Sequence, residues 1–383
     1  MSLFGEIYFF FLAALLLIPA VILGINERPL RYYGSVLTVV FVTLAVVSSY
    51  RQILYLAAYC LIQTVLVKSF MRIKDSQKDS SALFKLFICL SVAPLVIFKI
   101  GGLMELSIFA FAGISYLTFK SVQMLIEIHD GLIKEVKTWD FLYFLLFFPS
   151  FSSGPIDRSR RFIQDMYHVP SRQEYLDLLG DGLMKICLGM VYKFVIAAAF
   201  FQGMTYLGSA IAEYAGSTVA YMYCYGFYLF FDFAGYSQMA VGVSYILGIR
   251  TPDNFNKPFI SADIKEFWDR WHITLSHWFR DFVFSRFMMA SIRGRWFKSK
   301  LTGATVGFMI NMTLMGLWHG LSWNYVLYGV YHGILLSLTE IYQKKSKFYK
   351  KHKKEKWYKI VGVIVTFNLA MFGFLIFSGR LIK

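Results

Sequence analysis

The sequence is short of charge. Asp, Glu, Lys and Arg make up 16% of its 383 residues, where soluble domains carry roughly 25%. Cysteine is scarce as well: Cys60, Cys89, Cys187 and Cys224 each sit in an apolar stretch and none forms CxxC. They read as small buried hydrophobes, which sets aside a disulfide scaffold or a cysteine zinc site. No internal repeat, low-complexity domain or coiled-coil pattern is present. What fills the chain instead is apolar: 57% of residues belong to AVILMFWYC and the mean hydropathy is +0.54. A soluble chain of this size cannot hide that much apolar surface from water, and disorder is excluded by the same numbers. An integral membrane protein remains.

Acidic residues are the scarcer sign of charge. Lys and Arg number 39 against 23 Asp and Glu, a net charge of +16. The basic residues lie between apolar runs rather than on one soluble domain, so nucleic acid is not the expected partner. The positive-inside bias of cytoplasmic loops explains most of the excess.

A helix needs about 20 mainly apolar residues to cross a bilayer. Ten segments meet that expectation: 6–24, 33–49, 52–70, 83–100, 106–128, 180–202, 218–248, 303–318, 322–341 and 359–379. The run 139–151 is apolar but short and ends in Pro149, so it suits a re-entrant or in-plane segment. Lys/Arg clusters lie at 68–85, 157–172, 286–300 and 344–359, while 203–217 has none. Ten spans with both termini outside place every cluster in the cytoplasm. The run 344–359, with nine lysines and one acid, Glu355, reads as a solvated loop. Glu6 before a long apolar run, with no basic segment ahead of it, is not the pattern of a cleaved signal peptide. GxxxG spacings at Gly303/Gly307, Gly316/Gly320 and Gly329/Gly333 predict close helix packing within the chain.

Polar residues in apolar surroundings are the candidate functional groups. Asp232 lies within YLFFDFAGYSQMAVG and must find a partner, a polar interior or a proton. His319 lies in MGLWHG, framed by Gly316 and Gly320, and suits a general base near neutral pH. His332 follows in GVYHG with a weaker case. In 251–286, Asp263 is placed to cap a helix. Phe267, Trp268, Trp271, Leu275 and Trp278 recur at spacings of three and four, which predicts an amphipathic helix at the membrane interface carrying His272. His272 and His277 are five apart, which fits no helical metal pair, and no metal site is expected. The stretch 282–300 mixes Phe284, Met288, Met289 and Ile292 with Arg286, Arg293, Arg295, Lys298 and Lys300. It suits either an acidic helical partner or a lipid surface. Asp232, His319 and His332 alone would also suit a transport pathway.

Four stretches in order carry a resemblance: FPSFSSGPIDRSRRF (148–162), FYLFFDFAGYSQMAVGVSYILGI with TPDNFNKPF (227–259), DIKEFWDRWHITLSHWFRDFVF (263–284) and MGLWHG (315–320). Together they resemble the membrane-bound O-acyltransferase (MBOAT) superfamily, nearest to its teichoic-acid D-alanyl transfer branch. The likeness is strongest over 148–332. It implies an all-α polytopic membrane fold in a single domain, 1–383: a ring of about ten or eleven helices around a central funnel and tunnel. It assigns catalysis to His319 and His272. Asp232, Trp271, Ser276, Asn311 and Trp318 become candidates for lining the tunnel and positioning substrate. The implied donor is the phosphopantetheine thioester of an acidic D-alanyl carrier protein, DltC, with no cofactor held by the chain itself. That partner favours docking over lipid for Phe284, Arg286, Met288, Met289, Ile292 and Arg293. DltD and DltX are the implied membrane partners, teichoic acid the downstream acceptor, and the cytoplasmic membrane of a Gram-positive bacterium the location. The nearest rival is an acetyltransferase of the alginate type within the same superfamily.

Overall fold

The computed structural model describes residues 3–47, 49–75, 81–105, 108–209 and 215–381. Among them there are helices and turns and no strand. They gather into two compact units: residues 1–190 with 235–252, and 191–234 with 253–383. The first unit contains α1 (Ile7–Ile25), α2 (Arg31–Val46), α3 (Tyr50–Asp75), α4 (Ser81–Leu103), α5 (Ile114–His129), α6 (Thr138–Leu146), α7 (Ser159–Tyr167) and α8 (Arg172–Met190). After α8 come a π-helical turn, Val191–Ala197, and α9 (Ala198–Ser209); α10 (Ala215–Ile246) gives most of its length to the second unit and its last turns to the first. The second unit continues with α11 (Ile264–Arg270), α12 (Ile273–Phe279), a π turn Arg280–Phe284, α13 (Ser285–Arg293), α14 (Lys300–His319), α15 (Trp323–Lys345), α16 (Lys347–His352) and α17 (Lys356–Phe377).

Among the described residues six stretches are long and apolar enough to cross a membrane: Tyr8–Ile25, Tyr50–Lys74, Ser81–Leu103, Arg172–Leu207, Lys300–His319 and Lys356–Phe377. The other four expected spans are helical but differ in length or polarity. α2 has only 16 residues. The expected span 106–128 begins at Ile114 instead, and residues 106–107 fall outside the described residues. α5 also carries Lys120, Gln123 and Glu127, all buried inside the first unit. α15 brings His332 into the second unit's interior, and α10 carries the partly exposed Asp232.

The 139–151 run does not span. α6 has nine residues, about 14 Å of helix, and gives way to a 3-10 turn at Phe148–Ser150. Fully buried Lys120 explains why it can stop there. Its ammonium donates to the carbonyls of Phe144 at 3.1 Å and Leu145 at 3.2 Å and to Ser150 Oγ at 2.9 Å. All three donors are used on groups that a helix end leaves open.

The 344–359 run is solvated, with its lysines exposed, but it is not all loop. α16 folds within it, and Tyr349 and Tyr358 face each other at 6.1 Å between ring centroids. The four cysteines are free but not buried; Cys89 and Cys187 are exposed on helix surfaces. The glycine spacings do pack within the chain. A Cβ on Gly316 of α14 would fall 3.1 Å from the Cα of Gly329 on α15, and closer still to the Tyr325 carbonyl.

Candidate active site

The site is built in the second unit around a break between two short helices. Asp263 caps α11 as its position predicts, accepting from the amides of Lys265 at 2.9 Å and Glu266 at 3.0 Å. Glu266 reaches back to the Ala262 amide at 2.8 Å. The expected continuous amphipathic helix does not form. Trp271 is extended and His272 is left-handed, with φ 44° and ψ 52°, a conformation that costs a non-glycine residue energy. The break turns the aromatic set inward rather than to a membrane interface. Phe267, Trp268, Trp271, Leu275 and Trp278 are all buried.

The TPDNFNKPF stretch holds the break in place. Asn254 accepts the Ile273 amide on its backbone carbonyl at 2.8 Å. Its side-chain oxygen accepts from Thr274 Oγ1 at 2.6 Å and from the Thr274 amide at 3.3 Å. The Asn256 amide donates to the Arg270 carbonyl at 3.0 Å. Both sides of His272 are thereby fixed from one loop.

His272 is 4% exposed. Its ring meets Phe233 edge-on at 4.7 Å, and neither ring nitrogen has a hydrogen-bond partner among the described residues. Burial pushes its pKa down to about 3, and the neighbouring His319 also disfavours a charge on it. The coupling places the two histidines near one another, where a flat reading of the spans sets them toward opposite sides of the membrane.

His319 is the last residue of α14. Its half-buried ring packs against Trp318 at 4.6 Å and Phe377 at 5.0 Å. Asn311, Met315 and His319 are spaced by four and share one face of α14. Asn311 and Met315 line a cavity of about 260 Å³, together with Ser276, Trp268 and Phe284. Asn311 Oδ1 has no partner in the protein. Ser276 is one turn beyond His272, and its amide donates to the His272 carbonyl at 3.0 Å. Neither histidine lines the cavity itself; its polar residues Ser276 and Asn311 stand four and eight residues from His272 and His319 in the chain. Lys265, Asp269 and Arg280 supply charge at its rim.

The other candidates fall in different places. Trp271 does not line the cavity; it sits in an aromatic cluster with Phe374 at 4.6 Å and Phe255 at 5.1 Å. Asp232 has a partner, Lys193 on the π turn, and both side chains keep some exposure. Fully buried His332 accepts from Trp268 Nε1 on its Nδ1 at 3.3 Å, which leaves the proton on Nε2. On α13, Met289, Ile292 and Arg293 are exposed, Arg286 and Met288 half-buried. Phe284 turns inward, stacks on Phe308 at 4.7 Å and joins the cavity wall. Among the described residues no three His, Cys, Asp or Glu side chains converge as a metal site would require.

The sequence reading missed Asn254, Lys193 and Trp268. Asn254 had a signal, since Asn in a Pro-rich loop ahead of a helix is a side chain that bonds nearby backbone. Lys193 stood alone in an apolar run, and only the π turn explains its partner. Trp268 was grouped with the aromatic stripe.

Comparison with known proteins gives the family. The sequence pattern of MBOAT, the membrane-bound O-acyltransferase family, covers residues 40–379. The teichoic acid D-alanyltransferase of Bacillus subtilis strain 168 is 39% identical over 99% of this chain and 98% of its own length. That of Streptococcus thermophilus is 42% identical over 99% of this chain and 95% of its own. A probable alginate O-acetylase of Azotobacter vinelandii is 32% identical, over 55% of this chain and 40% of its own length. A family pattern spanning nearly the whole chain, and relatives aligned end to end, settle its membership: this chain belongs to the membrane-bound O-acyltransferase family.

Proposed function

We propose that the protein transfers D-alanyl groups from the phosphopantetheine thioester of an acidic carrier, DltC, to a hydroxyl acceptor on the way to teichoic acid. The observation that carries this reading is the end-to-end similarity to two teichoic acid D-alanyltransferases, where the acetylase aligns over only about half the chain. The cavity supports it too, because Phe284 joins the wall of that cavity to the basic, Met-bearing α13. Six apolar helices agree with a multi-pass protein of the Gram-positive cytoplasmic membrane. The ten-span reading of the sequence, with both termini outside, puts α13 on the cytoplasmic side, with the carrier.

The chemistry divides between the two histidines. The carrier meets Met289, Ile292 and Arg293, and its thioester arm enters beside Phe284. His319 takes the proton of the acceptor hydroxyl as its oxygen attacks the thioester carbonyl. His272, neutral because burial holds its pKa near 3, donates an N–H to the oxygen that gains charge, as a neutral imidazole can. The C–S bond breaks, the sulfur receives the proton from His319, and an oxygen ester and a free thiol leave. A proton held on His319 sits at the negative end of the α14 dipole. Ser276 and Asn311 line the arm's path, Trp318 packs the His319 ring, and the Asp232–Lys193 pair holds α10 to the π turn. DltD and DltX are proposed as membrane partners that accept or pass on the acyl group.

The test is donor choice by the wild-type protein in liposomes. Radiolabel should move from D-alanyl-carrier to a hydroxyl acceptor and not from an acetyl donor. Transfer from the acetyl donor alone would replace this reading with the acetylase one.

A further inference from the structure

The lysine-rich segment encloses a groove that the acyl-transfer chemistry does not use. It lies between α15 and α17, beneath α16, with a volume of about 530 Å³. One wall is apolar: Val361, Val365 and Leu369 are spaced by four along one face of α17, opposite Leu335 and Thr339 of α15. Eight residues of helix make that trough about 12 Å long. The mouth is different. Tyr349, Lys353, Tyr358 and Lys359 line it, the Lys353 ammonium stands over the Tyr349 ring at 5.8 Å, and the Tyr358 hydroxyl donates to Tyr342 Oη at 3.2 Å. Phe348 and Trp357 are exposed beside it, the placing of aromatics at the headgroup level of a bilayer.

The nearby acids are already engaged. Asp263, on the groove floor, caps α11 with one oxygen and accepts from Gln343 Nε2 with the other at 2.9 Å. Glu355 is bound to His352 and Trp357. The cations that line the mouth are Lys353 and Lys359.

From this we infer that the groove binds one anionic phospholipid, its phosphate between Lys353 and Lys359 and an acyl chain along Val361, Val365 and Leu369. A zwitterionic lipid offers the same chain but no net negative charge. Free phosphate offers the charge but nothing for the apolar wall. The inference holds whichever acyl donor the site uses. Because Asp263 forms both the floor of the groove and the cap of α11, lipid bound there bears on the helix that leads to His272.

The full chain in phosphatidylglycerol nanodiscs tests it, with lipid retained after detergent exchange counted by native mass spectrometry. About one phosphatidylglycerol per chain is expected, and much less phosphatidylcholine. Lys353→Gln with Lys359→Gln should lower retention roughly tenfold or more, and Val365→Trp should remove it by filling the trough. Lys344→Gln with Lys350→Gln, in the same run but outside the groove, should leave it unchanged. Equal retention of phosphatidylcholine overturns the inference. So does unchanged retention in the Lys353/Lys359 or Val365 variants, equal loss in the Lys344/Lys350 control, or full displacement by millimolar inorganic phosphate.

Discussion

The two units treat their buried ionisable groups differently. Lys120, Glu127, Asp140 and Asp157 are buried in the first unit, and each has partners. Lys120 uses all three donors, Glu127 is met by Ser159, Asp140 accepts from Tyr167 at 2.9 Å, and Asp157 holds Arg161. In the second unit His272 is buried with both ring nitrogens open, and Asn311 Oδ1 and His332 Nε2 are open as well. An unmet buried polar group costs about 1–3 kcal/mol. The first unit holds such groups too, both amide atoms of Gln123 among them, but its buried lysine and carboxylate side chains are hydrogen-bonded, where buried His272 of the second is not.

Four perturbations should break or sharpen that contrast. The largest is Lys120→Met, which strips three acceptors of their donor. It should cost at least about 3 kcal/mol, seen as a loss of monodisperse protein and a lower Tm, with activity per folded molecule unchanged. His272→Asn keeps a residue tolerant of the left-handed conformation but removes the proposed donor. Transfer rate should fall about 100-fold while Tm moves by no more than about 2 °C. A large Tm loss instead would make His272 a structural residue like Lys120. Met289→Asp should raise the KM for charged carrier about tenfold with kcat unchanged, and added salt should raise it for the wild type as well. The fourth effect is on pH. His272 is neutral in both folded and unfolded chains above its usual pKa of 6.5. Below that value the unfolded chain binds a proton that the folded chain refuses until about pH 3. Stability is therefore lost as pH falls, by about 2 kcal/mol between pH 7 and 5.

How far the residues alone lead can be judged at particular places. The apolar excess and the Asp263 cap were readable because burial and helix capping are local matters. His319 stood out through its flanking glycines, and Gly316 does meet α15 closely. The break at His272 was not readable. The three-and-four spacing of its aromatics is equally the pattern of one helix, and the clamp comes from Asn254, 18 residues earlier in the chain. The lysine run is solvated as its charge implies, but charge alone says nothing of α16 or of Tyr349 and Tyr358, which close a groove with residues of α15. Trp271 was placed near the substrate on the strength of its neighbour His272, yet extended backbone at Trp271 sends it into the aromatic cluster.

The central claim is that the second unit's open polar groups serve acyl transfer, with His319 taking the proton. Transfer of radiolabelled D-alanine from charged carrier by His319→Ala in liposomes tests it directly. The account predicts a rate at least 100-fold below wild type in a protein with wild-type Tm and carrier affinity. Transfer at the wild-type rate would contradict it.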